Sequence, residues 1–126
     1  MLKTWAVMFG LVFLFIGILG FIPHAAPHQM LLGMFHINMA HNLIHLATGV
    51  IALWVGCKDS YASKLFFQIF GVIYLIVAIV GFINEDKPVF GFIANNMADS
   101  WLHLVVALIA LYLGFIFRQK KARRGG

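Results

Sequence analysis

The amino-acid sequence points to an all-α integral membrane protein: a four-helix bundle made of two tandem two-helix repeats. Three features carry this. The 126 residues are 63% hydrophobic and 10% charged, with a mean hydropathy of +0.96, well outside the balance of a soluble domain. Four uninterrupted apolar runs are each long enough, at about 1.5 Å per helical residue, to cross a hydrocarbon core of roughly 30 Å. The first pair of runs also reappears, in order, as the second pair. Strands are not expected, because a spanning barrel needs short alternating segments and these runs are continuous. The chain reads as a single transmembrane domain, 1–126, with repeat 1 at about 5–56, repeat 2 at about 65–114 and a basic tail at 118–126.

The first run is Trp5 to Ile22, behind Lys3. Lys3, the apolar stretch and the small residues of HAAP resemble a secretory signal peptide. Pro27 just after the would-be cut and the internal copy of the segment argue instead for a retained span. PHAAPHQMLLGMFHI (23–37) is expected to turn at its prolines and lay Met30 to Phe35 at the interface. The second run is Ile37 to Gly56, followed by the single Cys57, to which no disulfide or role is assigned. Leu65 to Ile83 forms the third run, PVFGFIA (88–94) the shorter second loop, and Met97 to Phe117 the fourth run. The L-G and F-G pairs at 32–33 and 90–91 predict a tight bend before the second and fourth helices.

The repeat can be followed along the chain. FGLVFLFIGILGFI (9–22) lies over FGVIYLIVAIVGFI (70–83), and LGMFHINMAHNLIHLATGVIALWVG (32–56) over FGFIANNMADSWLHLVVALIALYLG (90–114). Each copy holds an even number of spans, so the copies share one topology. A pseudo-two-fold axis along the membrane normal should relate them. Asn38 then matches Asn96, His41 matches Asp99, Asn42 matches Ser100 and His45 matches His103. At about 100° per residue these positions share one helical face with Gly49, Ala52 and Gly56, or with Ala107, Ala110 and Gly114. Small residues permit close approach of membrane helices, so this face is the expected contact between helices two and four. Gly10, Gly17, Gly20, Gly71, Ala78 and Gly81 predict close packing of the other two helices as well.

His41, His45, Asp99 and His103 should therefore converge one to two turns below the outer surface, beneath Asn38 and Asn96, which are placed to cap their helices. Ionisable groups at that depth need a partner, water or a metal. Three readings stay open on the residues alone. In the first the role is structural or interaction-based: His41 pairs with Asp99, His45 faces His103, and Asn38, Asn42, Asn96 and Ser100 complete a polar network. Such interhelical bonds average about 0.6 kcal/mol but fix register.

The second reading is a metal site of His41, His45, Asp99 and His103, a ligand set suited to zinc. Copper is the other candidate ion, because Met30, Met34, Met39 and Met97 lie with His24, His28 and His36 at the same mouth. A transmembrane electron carrier is disfavoured, since it needs haem ligands near both faces; a single outer haem held by His45 and His103 is kept as a lesser alternative. The third reading is proton or solute movement through a homo-oligomer with titrating imidazoles. No polar residue is seen to continue a route below His45 and His103. No catalytic residue is assigned: Ser100 beside Asp99 and His103 has Asn42 as its counterpart and lacks an oxyanion loop.

Lys3, Lys58, Lys64, Arg118, Lys120, Lys121, Arg123 and Arg124 fall on the side of both termini; Lys87 falls on the other, beside Glu85 and Asp86. The positive-inside rule then makes both termini cytoplasmic, in a multi-pass protein of the bacterial cytoplasmic membrane. RQKKARRGG at 118–126 explains most of the positive charge. Its expected partners are anionic lipid head groups, with no nucleic acid implied. Trp5, Trp54 and Tyr112 at one level and Trp101 at the other suit interfacial belts.

The stretches GILGFIP, LLGMF, N-x-x-H-N-L-I-H-L-x-x-G and N-x-x-D-S-W-L-H-L, spanning about Val7 to Gly114, resemble a family of small bacterial four-helix membrane proteins, a domain of unknown function of the DUF4383 type. Asn38, His41, Asn42, His45, Gly49, Asn96, Asp99 and His103 match its motif positions. The resemblance implies a fold and a bacterial inner-membrane setting, and no activity, substrate or cofactor. The histidine- and methionine-rich first loop departs from the family pattern.

Overall fold

The computed structural model describes residues 1–118. Apart from Arg118, the expected basic tail lies outside the described residues. Four helices make the fold: α1 Leu2–Leu19, α2 Met39–Lys58, α3 Ser60–Asn84 and α4 Met97–Leu111. A π-helical turn, Tyr112–Ile116, extends α4. All four, with that turn counted in the last, are long and apolar enough to cross a membrane. This is a multi-pass membrane four-helix bundle.

The helix ends follow local polar chemistry more closely than the limits of the apolar runs. The third run began at Leu65, but α3 starts at Ser60 because Asp59 caps it, accepting the Ala62 N–H at 2.7 Å. Asp59 also ends α2, so one residue joins two spans. The Ser63 hydroxyl tightens that junction, lying 3.1 Å from the Val55 carbonyl and 2.9 Å from that of Asp59. At the opposite end α1 stops at Leu19, and Phe21 and Ile22 donate to the Ile18 and Leu19 carbonyls in a closing turn.

Both long loops contain β structure where none was expected. Met30–Leu31 (β1) pairs antiparallel with Phe35–His36 (β2), and Val89 bridges Ile93 in the second loop. Leu32 and Gly33, and likewise Phe90 and Gly91, all have positive φ. Both pairs sit in three-residue hairpin loops, with Leu31 facing Phe35 and Val89 facing Ile93, where the chain turns through the left-handed region. The loop backbone thus satisfies itself within short hairpins.

α1 packs chiefly on α2 and α3 on α4, with α3 also touching α1 and α2. Here the structure corrects the expected face between helices two and four. A Cβ on Gly49 would stand 2.9 Å from the Gly10 carbonyl oxygen, and one on Gly56 2.9 Å from the Val7 nitrogen, so both glycines admit α1. Gly114 admits α3: a Cβ there would meet the Gln68 nitrogen at 2.7 Å, and the Gln68 side chain donates to the Gly114 carbonyl at 2.9 Å. The glycines close each hairpin upon itself. Ala52 and Ala110 do face the shared interior, with Phe66, Phe67 and Leu113, while Ala107 joins Phe13 and Tyr74 nearer the loops.

Candidate functional site: a buried three-histidine cluster

The starts of α2 and α4 are held by exchanged contacts. Asn38 caps α2 by accepting the His41 N–H at 2.9 Å, while its own amide donates to the Phe92 carbonyl at 2.8 Å. Asn96 caps α4 by accepting the Asp99 N–H at 2.9 Å and donates to the Met34 carbonyl at 2.9 Å. Each helix start is thereby tied to the loop of the other hairpin. The first polar turn of α2 therefore has a fixed position over the bundle.

Asp99 does not join the histidines. Its Oδ2 accepts the Asn96 N–H at 3.0 Å, completing a capping box, and the His36 N–H at 3.1 Å. The carboxylate is folded back on the helix end and serves two backbone donors, so the expected pairing with His41 gives way to this arrangement. His41 Nδ1 instead faces the Ala94 carbonyl at 2.9 Å. A carbonyl only accepts, so Nδ1 carries the proton and Nε2 of the neutral ring presents a lone pair.

That Nε2 lies 3.2 Å from Nε2 of His45, one turn further along α2. His103, from α4, completes the group: one ring nitrogen from each of His41, His45 and His103 lies within 4.8 Å of the others. All three side chains are at most 4% exposed. Phe13 packs edge-on against His45 at 5.4 Å, and Tyr74 lies beside His103 at 5.6 Å. Among the described residues, Nδ1 of His45 and Nδ1 of His103 are buried with no hydrogen-bond partner. Leaving such atoms unsatisfied is costly.

The remaining expected network residues divide between the two sides. Asn42 turns toward the end of α1, where Gly20 leaves room for its amide and where its Oδ1 is also buried without a partner among the described residues. Ser100 lies against Gly81 and shares its hydroxyl between Asn95 Oδ1 and the Asn96 carbonyl. Met34, Met39 and Met97 are exposed, and none of the four loop-end methionines lines the cavity beside the histidines. The thioether surroundings expected for copper are therefore not assembled. His24 and His28 are exposed; His36 is half-buried and lies near His41, but it is not one of the three grouped histidines.

Sequence reasoning missed four contributors. Thr48, one turn beyond His45, gives its hydroxyl proton to the Ile44 carbonyl at 2.8 Å, and the Tyr74 hydroxyl meets it at 3.0 Å. Polarity thus reaches one turn deeper than expected. The signal was Tyr74 itself, the aromatic hydroxyl standing where the first copy has Phe13. Asn95, 1% exposed, donates to the Gly81 and Glu85 carbonyls at 3.1 and 2.8 Å and ties α3 to α4. The Ala94 carbonyl is main-chain and leaves no mark in a side-chain pattern.

A cavity of about 290 Å³ opens beside the cluster between α2 and α3. His41, His45 and His103 form one wall, Thr48 and Tyr74 lie at its inner end, and the rest of its lining is aliphatic or phenyl. Three imidazoles at this spacing, one with its second nitrogen pinned to a carbonyl, can act as neutral ligands to a metal ion.

A family model described as a domain of unknown function (DUF4383) matches residues 3–116. No curated protein and no solved structure matches the chain.

Proposed function

This chain belongs to the DUF4383 family, a domain of unknown function, and from that premise we propose that it is a membrane metalloprotein whose His41, His45 and His103 bind a divalent ion of the zinc class. The observation that carries the reading is the convergence of one ring nitrogen from each of the three buried histidines within 4.8 Å. Nitrogens bound at 2.0–2.1 Å to a tetrahedral ion stand about 3.3 to 3.4 Å apart. The His41–His45 separation of 3.2 Å is close to that edge, and His103, within 4.8 Å of both, would draw in on binding. The His41 to Ala94 bond is the outer-shell contact that metal-bound imidazoles habitually make.

A purely structural lock accounts less well for the site, because the one bond between imidazoles that it offers, His41 to His45, leaves His103 out. A proton or solute route is also disfavoured: past Thr48 and Tyr74 the interior is filled by Phe67, Ala52, Ala110 and Leu113. We read the hairpins as tandem copies, which the matched caps and the matched positive-φ pairs in the two hairpin loops support. The lysine and arginine distribution supports placing both termini in the cytoplasm, and so the cluster in the outer leaflet of the cytoplasmic membrane.

The test is the metal content of protein purified in detergent from native membranes, wild type against His45→Gln/His103→Gln, with helical circular dichroism as the folding control. One ion per chain, lost in a folded variant, is expected. A metal-free wild type, or equal content in both, overturns the proposal.

A further inference from the structure

We infer that the cavity beside the cluster receives a single-chain lipid carboxylate, its head oxygen on the metal's fourth position and its chain running out between α2 and α3. This rests on the metal reading above. Three protein ligands leave a tetrahedral ion one open position, as in sites that admit water or substrate. The position adjoins a cavity of about 290 Å³. An apolar cavity of roughly 150 Å³ stays dry and holds benzene, so this one accommodates on the order of a dozen heavy atoms.

The lining selects the body of the guest. Besides the imidazoles, Thr48 and Tyr74 are the polar side chains on the wall, and they already bond to each other. Ile73, Val77, Phe70 and Phe92 supply hydrocarbon. The rim residues Ile44 and Ile73 are exposed on the flanks of spanning helices, so the opening between them faces acyl chains. The loop residues Phe90 and Phe92 lie over the other end. A guest therefore comes from the bilayer, and a chain longer than the cavity continues into it.

Charge selects the head. Three neutral imidazoles leave the ion's two positive charges uncompensated in surroundings where such charge is costly. Asp99, the nearest acid along α4, has its carboxylate on the backbone N–H groups of His36 and Asn96. No acidic residue lines the cavity. An anionic oxygen brought by the guest supplies what the protein omits.

Cobalt(II)-loaded protein, whose visible bands report the ion's ligands, tests this with decanoate, decanol and acetate as probes. Decanoate should shift the bands saturably, decanol should not, and acetate should need at least tenfold more. Ile73→Trp, which fills the mouth, should keep the cobalt bands yet weaken the decanoate response at least tenfold; Val77→Phe serves the same purpose should the first variant not fold. Cobalt bound with no decanoate response overturns this inference and leaves the metal site standing. An equal response to decanol rules out the anionic head, and an undiminished response in the folded, filled variants rules out the cavity. Failure to bind cobalt overturns both readings.

Discussion

His41 and His45, one turn apart on α2, hold their Nε2 atoms 3.2 Å from each other while the far nitrogen of His41 is bonded to the Ala94 carbonyl. Without an ion the two rings can share one N–H···N bond, and His103 gains nothing from it. With an ion all three lone pairs are used, so metal binding should stabilise the fold. Zinc at a hundred times its dissociation constant should add about 2.7 kcal/mol over the chelator-treated protein. Thermal unfolding followed by helical circular dichroism checks this; a midpoint indifferent to zinc contradicts it.

Asp99→Ala should cost stability and spare the metal. Removing the carboxylate leaves the His36 and Asn96 N–H groups without their acceptor, a loss of about 1–3 kcal/mol. Denaturation in mixed micelles measures the first effect and elemental analysis the second. Loss of the ion from a folded Asp99→Ala protein would restore Asp99 as a ligand.

Thr48 and Tyr74 join α2 to α3 through their hydroxyls at 3.0 Å. Thr48→Val and Tyr74→Phe should each cost about 1 kcal/mol. Because they break one bond, the double variant should fall short of the sum by about 0.5 kcal/mol or more. Strict additivity in the cycle would show that the bond contributes nothing. Metal content should stay at the wild-type level throughout.

Two glycines should respond differently to alanine. At Gly49 the added methyl would press on the Gly10 carbonyl and Leu14, an overpacking cost of about 1–3 kcal/mol. At Gly33 nothing lies within 4 Å, but φ is +72°, so the cost is the left-handed strain of about 1–2 kcal/mol. Gly49→Ala should also spread α1 from α2, lowering crosslinking between cysteines placed on those helices, which Gly33→Ala should leave unchanged. Loss of that crosslinking in Gly33→Ala alone would contradict the packing described.

Much of the fold is legible in the chain because the bilayer demands long apolar runs, and each of the four became a helix. The places where reading stopped share a cause: periodicity assigns a residue to a helical face and leaves open which neighbour meets that face. Gly49 and Gly56 lie on the same side of α2 as His45, yet they receive α1 at its flank. Asp99 occupies the place of His41 in the aligned copy, yet a carboxylate three residues past a cap is drawn to free backbone N–H groups, where an imidazole donates to a carbonyl instead. The short strands escaped notice because each is two residues long. The histidine cluster itself was legible from the spacing of His41, His45 and His103; its unsatisfied nitrogens required coordinates.

The most direct measurement is X-ray absorption at the zinc edge of the purified, zinc-loaded protein. Three nitrogen scatterers at about 2.0–2.1 Å with the outer-shell pattern of imidazole rings, plus one oxygen ligand, are expected. A first shell of oxygen alone, or one containing sulfur, would contradict the three-histidine site.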